Sequence, residues 1–280
     1  ASHPYISGQA IRRYLRDTLD DLLKGDKTIP EKMSPLEKSD DPKAPVVTEG
    51  DPEKYIDDDI FGFMKAVKGK TKRRESPLRV SPAFGLFPYA GDRDLGTRSA
   101  LEFAEEAEAG GAIFETEVTN NVFRTIFLLE LDRTGKWKKY ETVEDSEGEL
   151  KQDARRRRAS LLIRGLKYLW GGGRRTRMLI DMTPQFIVYA KLAKKVPIFL
   201  HALGVQMEDG KYYLNTEALT QVLRDYEDDI QNFVLGMRSG FLANETKIRG
   251  LKLREREIEV LSVGDAIERM ADDISNTDLP

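Results

Sequence analysis

The stretch YLWGGGRRTRMLIDMTP, Tyr168 to Pro184, sets Gly171, Gly172 and Gly173 against Arg174, Arg175 and Arg177. One glycine is enough to cap a helix C-terminus, where a positive φ is needed, and each further glycine costs backbone order. Surplus glycines let a backbone approach a ligand with its N–H groups turned inward, and adjacent arginines add charge and paired donors suited to phosphate. The chemistry is polyanion binding. The alternative is a surface loop with solvated arginines.

A second basic group stands near the start of the chain. In SGQAIRRYLRDTLDDLLKG, Arg12, Arg13 and Arg16 lie off the apolar stripe of a helix and close to its N-terminus, where the macrodipole favours anions. An anion bound there satisfies both dipole and arginines; an ordinary solvated face is the other reading. Asp57, Asp58 and Asp59 invite a divalent metal, but acids in the first turn of a helix are also what the dipole favours, and the reading here is capping. The only histidines, His3 and His201, have no catalytic motif around them, and the chain has no cysteine. Thiol chemistry, disulfides and thiolate metal sites are thereby removed, in keeping with a reducing cytosol.

These residues need elements to position them. Ser7 caps and Gly25 ends the first helix, with Ile11, Leu15, Leu19, Leu22 and Leu23 on its buried face. Residues 26–50 read as irregular, and DDDIFGFMKAVKG as a short helix ending before Gly69. LRVSPAFGLFPY, 78–89, and VFRTIFLLELD, 122–132, read as strands, separated by a segment too long for an ordinary hairpin loop. QDARRRRASLLIRGLKYLW is the second long helix, with Leu162, Gly165, Leu166 and Leu169 inside and the Arg155 to Arg158 run outside. TRMLIDM and PQFIVYAK are expected to pair around Pro184, and VPIFL to form another strand. VQMEDGKYYL is a hairpin turning at Asp209-Gly210. TEALTQVLRDYEDDIQNFVLGM reads as one helix through Met237, followed by the strand EIEVLSV and the helix GDAIERMADDI. The fold class is α+β, in the order of a ferredoxin-like or RRM-like core lacking its first strand. With an opening of ASHPYIS and no initiator methionine, the chain is expected to be the ordered part of a longer protein.

Composition bounds the partners. The 280 residues are 40% hydrophobic, enough for a real core, and no apolar run approaches the roughly 18 residues of a membrane span. With 45 basic and 48 acidic residues the net charge is −3, yet the charges are segregated. Bases gather at 65–79, 136–139 and 151–177, acids at 102–117 and 208–229. A polyanion feels such a local field within a Debye length of about 8 Å.

The segments YISGQAIRRYLRDTL, DDDIFGFMKA, RESPLRVSPAFGLFPY, FETEVTNNVFRTIFLLELDRTG and GGGRRTRMLIDMTPQF, in that order over most of Tyr5 to Phe186, resemble the Cas seven family, the CRISPR-associated Cascade backbone subunit of the DevR-like, type I-B kind. The resemblance implies a modified RRM-like palm as a single domain over 1–280, its first strand absent. It also implies a fingers-like insertion over 26–74, a thumb-like insertion over 90–121 and a C-terminal α/β elaboration over 192–280. It further implies a non-catalytic scaffold that stacks along one CRISPR guide RNA and leaves bases exposed to pair with target DNA, in antiviral defence or guided transposition. Its partners are the guide RNA, target DNA through the guide, further copies of itself, other Cascade subunits of the Cas five, Cas six and Cas eight types, and transposition proteins, in a prokaryotic cytoplasm away from membranes.

Ala10, Ile11, Arg12 and Arg16 match the pattern by which related palms hold RNA phosphate. Together with the anion-site reading, the resemblance implies an RNA surface of Gln9, Arg12, Arg13, Arg16, Lys72, Arg73, Arg74, Arg79, Arg93, Arg98, Asn120, Gly172, Gly173, Arg174, Arg175 and Arg177. No catalytic residue, metal or cofactor is expected. The rival is a metal-dependent ribonuclease of the type III-like kind using Asp57 to Asp59 or Asp181. A lone single-strand binder should carry paired stacking aromatics, and RTIFLLEL shows no such pattern.

Overall fold

Ser7 accepts a hydrogen bond from the Ala10 amide through Oγ at 3.1 Å and so opens helix α1, Gly8–Gly25, whose buried residues Ile11, Leu15, Leu19 and Leu23 repeat at helical spacing. The computed structural model describes residues 1–37, 47–67, 70–98, 112–172 and 179–280. A two-residue strand, β1, Tyr5–Ile6, precedes α1.

The region after α1 carries more structure than its proline-rich sequence suggests. Strands β2, Leu36–Glu37, and β3, Val47–Thr48, pair antiparallel. The short helix expected to end before Gly69 stops sooner, as α2, Ile56–Ile60, and the following residues form the hairpin β4, Phe63–Val67, with β5, Lys70–Arg74. The ladder sets Arg74 opposite Phe63, which returns its guanidinium to the end of α2 and an ion pair with Asp59. Tertiary pairing here outweighs helix propensity.

Both middle strands are broken. Leu78–Val80 (β6) and Ala83–Gly85 (β7) are separated at Ser81-Pro82, where proline offers no donor. Beyond β7 a ribbon is built from β8, Asp92–Arg98, and β9, Ala112–Val118. Phe123–Arg124 (β10) pairs with β7, and Phe127–Leu129 (β11) with β6; Thr125 donates to the Ser81 carbonyl at 2.9 Å across the matching breaks. The β1-β7-β10 order makes one small sheet. A minor pair, β12, Lys136–Trp137, with β13, Gly148–Glu149, leads into helix α3, Gln152–Gly165.

The Arg155 to Arg158 run is outside only in its middle. Arg155 is 0% and Arg158 2% exposed. Arg155 donates to the carbonyls of Thr134, Leu131 and Leu279 at 2.7, 2.9 and 3.1 Å, and Arg158 to Glu31, Asp59 and the carbonyls of Pro52 and Glu53. A guanidinium with this many directed acceptors can be buried where an unpaired one cannot.

In the C-terminal part, β14, Phe186–Leu192, pairs with a strand far downstream, and the VPIFL segment is a series of turns. The hairpin of β15, Val205–Glu208, and β16, Lys211–Leu214, turns at Asp209 and Gly210, both at positive φ. Helix α4, Thr216–Asp225, then stops, and the residues expected to continue it form β17, Ile230–Met237, the centre of a sheet. Short α5, Glu245–Arg249, and the pair β18, Lys252–Leu253, with β19, Arg256–Glu257, lead to β20, Val260–Leu261, parallel to β17, and to helix α6, Val263–Ser275. The β14-β17-β20 sheet has cores on both faces. Ile187, Tyr189 and Val234 join Leu15, Leu19, Leu162 and Ile267 from α1, α3 and α6; Val188, Ala190 and Leu235 join Leu219 and Leu223 from α4. Among the described residues no helix is long and apolar enough to cross a membrane.

Candidate nucleic-acid interface

Gln9, Arg12, Arg13 and Arg16 follow the i, i+3, i+4, i+7 spacing and share the face of α1 turned from the core. Beside it, α1, the end of α2, β4 and β6 enclose a groove of ≈ 550 Å³ lined by Gln9, Arg12, Phe61, Gly62, Ser76 and Arg79. Four of the residues expected from the sequence line it, Gln9, Arg12, Arg74 and Arg79; Phe61, Gly62, Glu75 and Ser76 are among the others, and no motif marks them.

Arg12 is the unusual member. Its Nη2 donates to the Phe61 carbonyl, its Nε is buried without a hydrogen-bond partner, and no carboxylate forms an ion pair with it among the described residues. Burial pulls its pKa below the ordinary arginine value. A half-buried cation with an idle donor costs free energy that a bound anion recovers.

The other arginines of this face are partly committed. Arg16 bonds Asp57 through Nε at 3.0 Å and Nη2 at 2.5 Å. Arg13 makes an exposed pair with Asp17 at 2.9 Å. Arg79, about half exposed, bonds Glu130 at 2.9 Å and Glu75 at 3.0 Å, and the Glu130 bond raises its pKa. In β5 the alternation decides: Lys72 and Arg74 point in, Arg73 out. Lys72 pairs with Asp145, and Arg74 spends its guanidinium on Asp59, Glu141 and the carbonyls of Lys136 and Arg133. Fully buried, Arg74 cannot present its side chain to an RNA, and it drops out of the candidate surface.

Of the glycine-arginine loop, the stem is described. A Cβ on Gly171 would lie 2.4 Å from the Tyr14 ring, and Gly172 sits at φ +96°. One surplus glycine thus serves a close approach to α1 of the same chain, and the next serves a left-handed backbone. Gly173, Arg174, Arg175 and Arg177 lie outside the described residues, as does the acidic run at 102–108. The stem meets α1 at Tyr14, one position along from Arg13.

On the ribbon, Arg93 is exposed and bonds Glu115 at 3.4 Å, Arg98 pairs with Ala112 in the ladder, and Asn120 is exposed at its foot. Asn121, one residue on, closes the base through bonds to the Phe87 carbonyl at 2.8 Å and amide at 3.2 Å.

The aspartates considered for metal or capping do something else. Asp57 accepts from Arg16 and the Ser34 amide, Asp58 from the Gly50 and Asp51 amides, and Asp59 from Arg74, Arg158 and the Gly135 amide. All three are buried, each turned to a different part of the chain, so their role is tertiary rather than capping. Burial pushes the Asp58 carboxyl up. Asp181 accepts from the Thr183 amide and hydroxyl at 2.8 and 2.7 Å, which holds its pKa down. Among the described residues no group of three His, Cys, Asp or Glu is placed to hold a metal ion.

The basic character of α3 is likewise spent at home. Arg157 pairs with Glu31, Arg156 with Asp278, and Arg164 with Glu268 and Asp272. Of the arginines on the outer face of α1, Arg12 is the one without an ion pair among the described residues.

Residues 1–212 match the family model of the CRISPR-associated negative auto-regulator DevR/Csa2, and the chain belongs to that family. Its fold is similar to that of a chain in a structure titled "CRISPR RNA-guided surveillance complex, pre-nicking", with a TM-score of 0.53 at 12% identity over 97% of this chain and 91% of that one. A chain of a second CRISPR RNA-guided surveillance complex gives 0.50 at 13% identity, over 97% and 86%. No curated protein matches the sequence.

Proposed function

We propose that this member of the DevR/Csa2 family is a non-catalytic backbone subunit of a Cascade-type complex, binding a CRISPR guide RNA by its phosphates and stacking along it in successive copies. The observation that carries the reading is Arg12, a cation without a carboxylate and with an idle buried Nε, set in a groove with Gln9 and Arg79. Phosphate supplies the missing acceptor, and contacts of that kind position a strand without reading its sequence. Guide bases are left to pair with target DNA.

In this reading the chain is one RRM-like palm, 26–74 are its fingers, 90–121 its thumb and 192–280 a C-terminal elaboration. The hairpin β4–β5 and the ribbon β8–β9 fall within those insertions. Further copies of the chain, Cascade subunits of the Cas five, six and eight types and, in guided transposition, transposition proteins are its partners in a prokaryotic cytoplasm. The separate engagement of Asp57, Asp58 and Asp59 supports a scaffold over a metal-dependent ribonuclease.

Fluorescence anisotropy with a single-stranded RNA tests this. The logarithm of affinity should fall linearly with that of salt, by about 0.7 per phosphate contact, and magnesium should leave the RNA intact. Binding indifferent to salt, or magnesium-dependent cleavage abolished by Asp181→Asn, overturns it.

A further inference from the structure

We infer a second RNA subsite, a stacking platform for nucleobases, on the outer face of the β1-β7-β10 sheet. Tyr5 and Phe84 are direct cross-strand partners, and Arg124 is the direct partner of Phe84 on the third strand. Side chains opposite one another across a ladder share a face. The three therefore form a row of ring, ring and guanidinium across the sheet. Tyr5 is 64% and Phe84 47% exposed, with ring centroids 6.1 Å apart, while Ala83 between them and the interior is buried. Arg124 donates to the Leu203 carbonyl at 2.8 Å and pairs with no carboxylate among the described residues.

Two exposed aromatics on a sheet could also dock a protein. Charge decides for RNA. In a chain with 48 acidic residues, no Asp or Glu occurs in 1–16, 76–91 or 118–129, the segments that supply these strands and their flanks, whereas Arg12, Arg13, Arg16, Arg79 and Arg124 do. Arg13, Arg16 and Arg79 are paired with Asp17, Asp57, Glu75 and Glu130, but Arg124, in the row with the two rings, has no carboxylate partner among the described residues, and flat π faces beside such a cation suit bases carried on a phosphate chain. The platform is also close to the groove along the chain: β1 runs straight into the Ser7 cap, and Tyr5 precedes Gln9 by four residues, a span of at most about 14 Å. One strand of RNA holding its phosphates at Arg12 has bases within reach of Tyr5 and Phe84. This subsite rests on the phosphate-binding reading above and adds to it a contact with bases.

The test compares the full chain with Tyr5→Ala/Phe84→Ala, and with Tyr5→Leu/Phe84→Leu in case the first fails to fold, on a single-stranded oligoribonucleotide and its abasic counterpart of equal phosphate number. Both variants should bind the base-bearing RNA at least about 5-fold more weakly, with abasic binding and salt slope unchanged. Equal affinity of wild type and variants for the base-bearing RNA overturns the platform, and so does an unchanged affinity accompanied by a changed oligomeric state, which makes the face a protein contact. Arg12→Ala separates the two claims, since it should weaken both ligands; if wild type binds neither, the phosphate reading itself falls.

Discussion

Arg16 on α1 and Asp57 on α2, 41 residues apart, are joined by two hydrogen bonds to one carboxylate oxygen, at 2.5 and 3.0 Å, while the other oxygen takes the Ser34 amide at 2.7 Å. This pair ties α2, and through Ser34 the segment before it, to α1. It also divides the helical face: Arg16 is anchored by a carboxylate, and Arg12, one turn earlier, has none among the described residues.

Arg16→Ala should therefore destabilise the fold, by about 3 kcal/mol, because it strands a buried carboxylate. Arg12→Ala should leave stability within about 1 kcal/mol, having no ion pair to break, and should weaken RNA binding. Urea denaturation alongside anisotropy distinguishes them. If Arg16→Ala unfolds at the wild-type urea concentration yet no longer binds RNA, Arg16 is a ligand residue and the division is wrong.

Asp58 and Asp59, adjacent in α2, should respond oppositely to amide substitution. The Asp58 pKa is raised by burial, so the folded state prefers its protonated form; that contribution is full below the unfolded value near 3.9 and is lost as pH rises through the raised one. At neutral pH its charge is a cost. Asp58→Asn keeps an oxygen for the Gly50 and Asp51 amides and should hold or raise stability at pH 7, while flattening the acid side of the pH profile. Asp59→Asn leaves Arg74 and Arg158 without their shared carboxylate and should cost about 3–5 kcal/mol. Thermal melts from pH 4 to 8 compare the two; a loss in Asp58→Asn as large as in Asp59→Asn would contradict this.

What the sequence made legible was local. Ser7, the apolar repeat of α1 and the Asp209-Gly210 turn signal their structures within a few residues. The α4–β17 boundary was illegible because Ile230, Phe233 and Met237 fit a helical stripe as well as a strand, and the two-sided burial of β17 is settled by β14 and β20. The Arg155 to Arg158 run reads as solvated because its acceptors are remote, Glu31 lying 127 residues from Arg158. At the site, basic identity was readable on α1, but which arginine is free was not: it depends on Asp57 meeting Arg16 and on β5 turning Arg74 inward. Tyr5 and Phe84 carry no motif, since 78 residues separate them and only the sheet register brings them together.

The ribbon β8–β9 should be separable from the fold. Its Arg93–Glu115 pair is exposed on both sides and worth at most about 1 kcal/mol, and its base is held by Asn121 and Phe87 outside the ribbon. Replacing Asp92 to Glu117 with a short glycine bridge should leave a folded chain that binds RNA weakly and forms no regularly spaced assemblies in electron micrographs. Unfolding, or filaments of unchanged spacing, assigns the ribbon to the core or to a passive role.

Gly171, which meets Tyr14 of α1, leads into Arg174, Arg175 and Arg177. If Arg174, Arg175 and Arg177 hold RNA, their triple replacement by alanine should weaken binding alike for guides of any sequence and lower the salt slope by about 0.7 for each lost phosphate contact. Gly171→Ala should act through position instead of charge, because a methyl 2.4 Å from Tyr14 must displace either the ring or the loop. With every arginine still present, it should reproduce part of the affinity loss, and Tyr14→Ala on the same background should restore room for the stem and with it some binding. Triple replacement that leaves affinity and slope at wild-type values removes the loop from the interface. The groove at Arg12 must then hold the backbone alone.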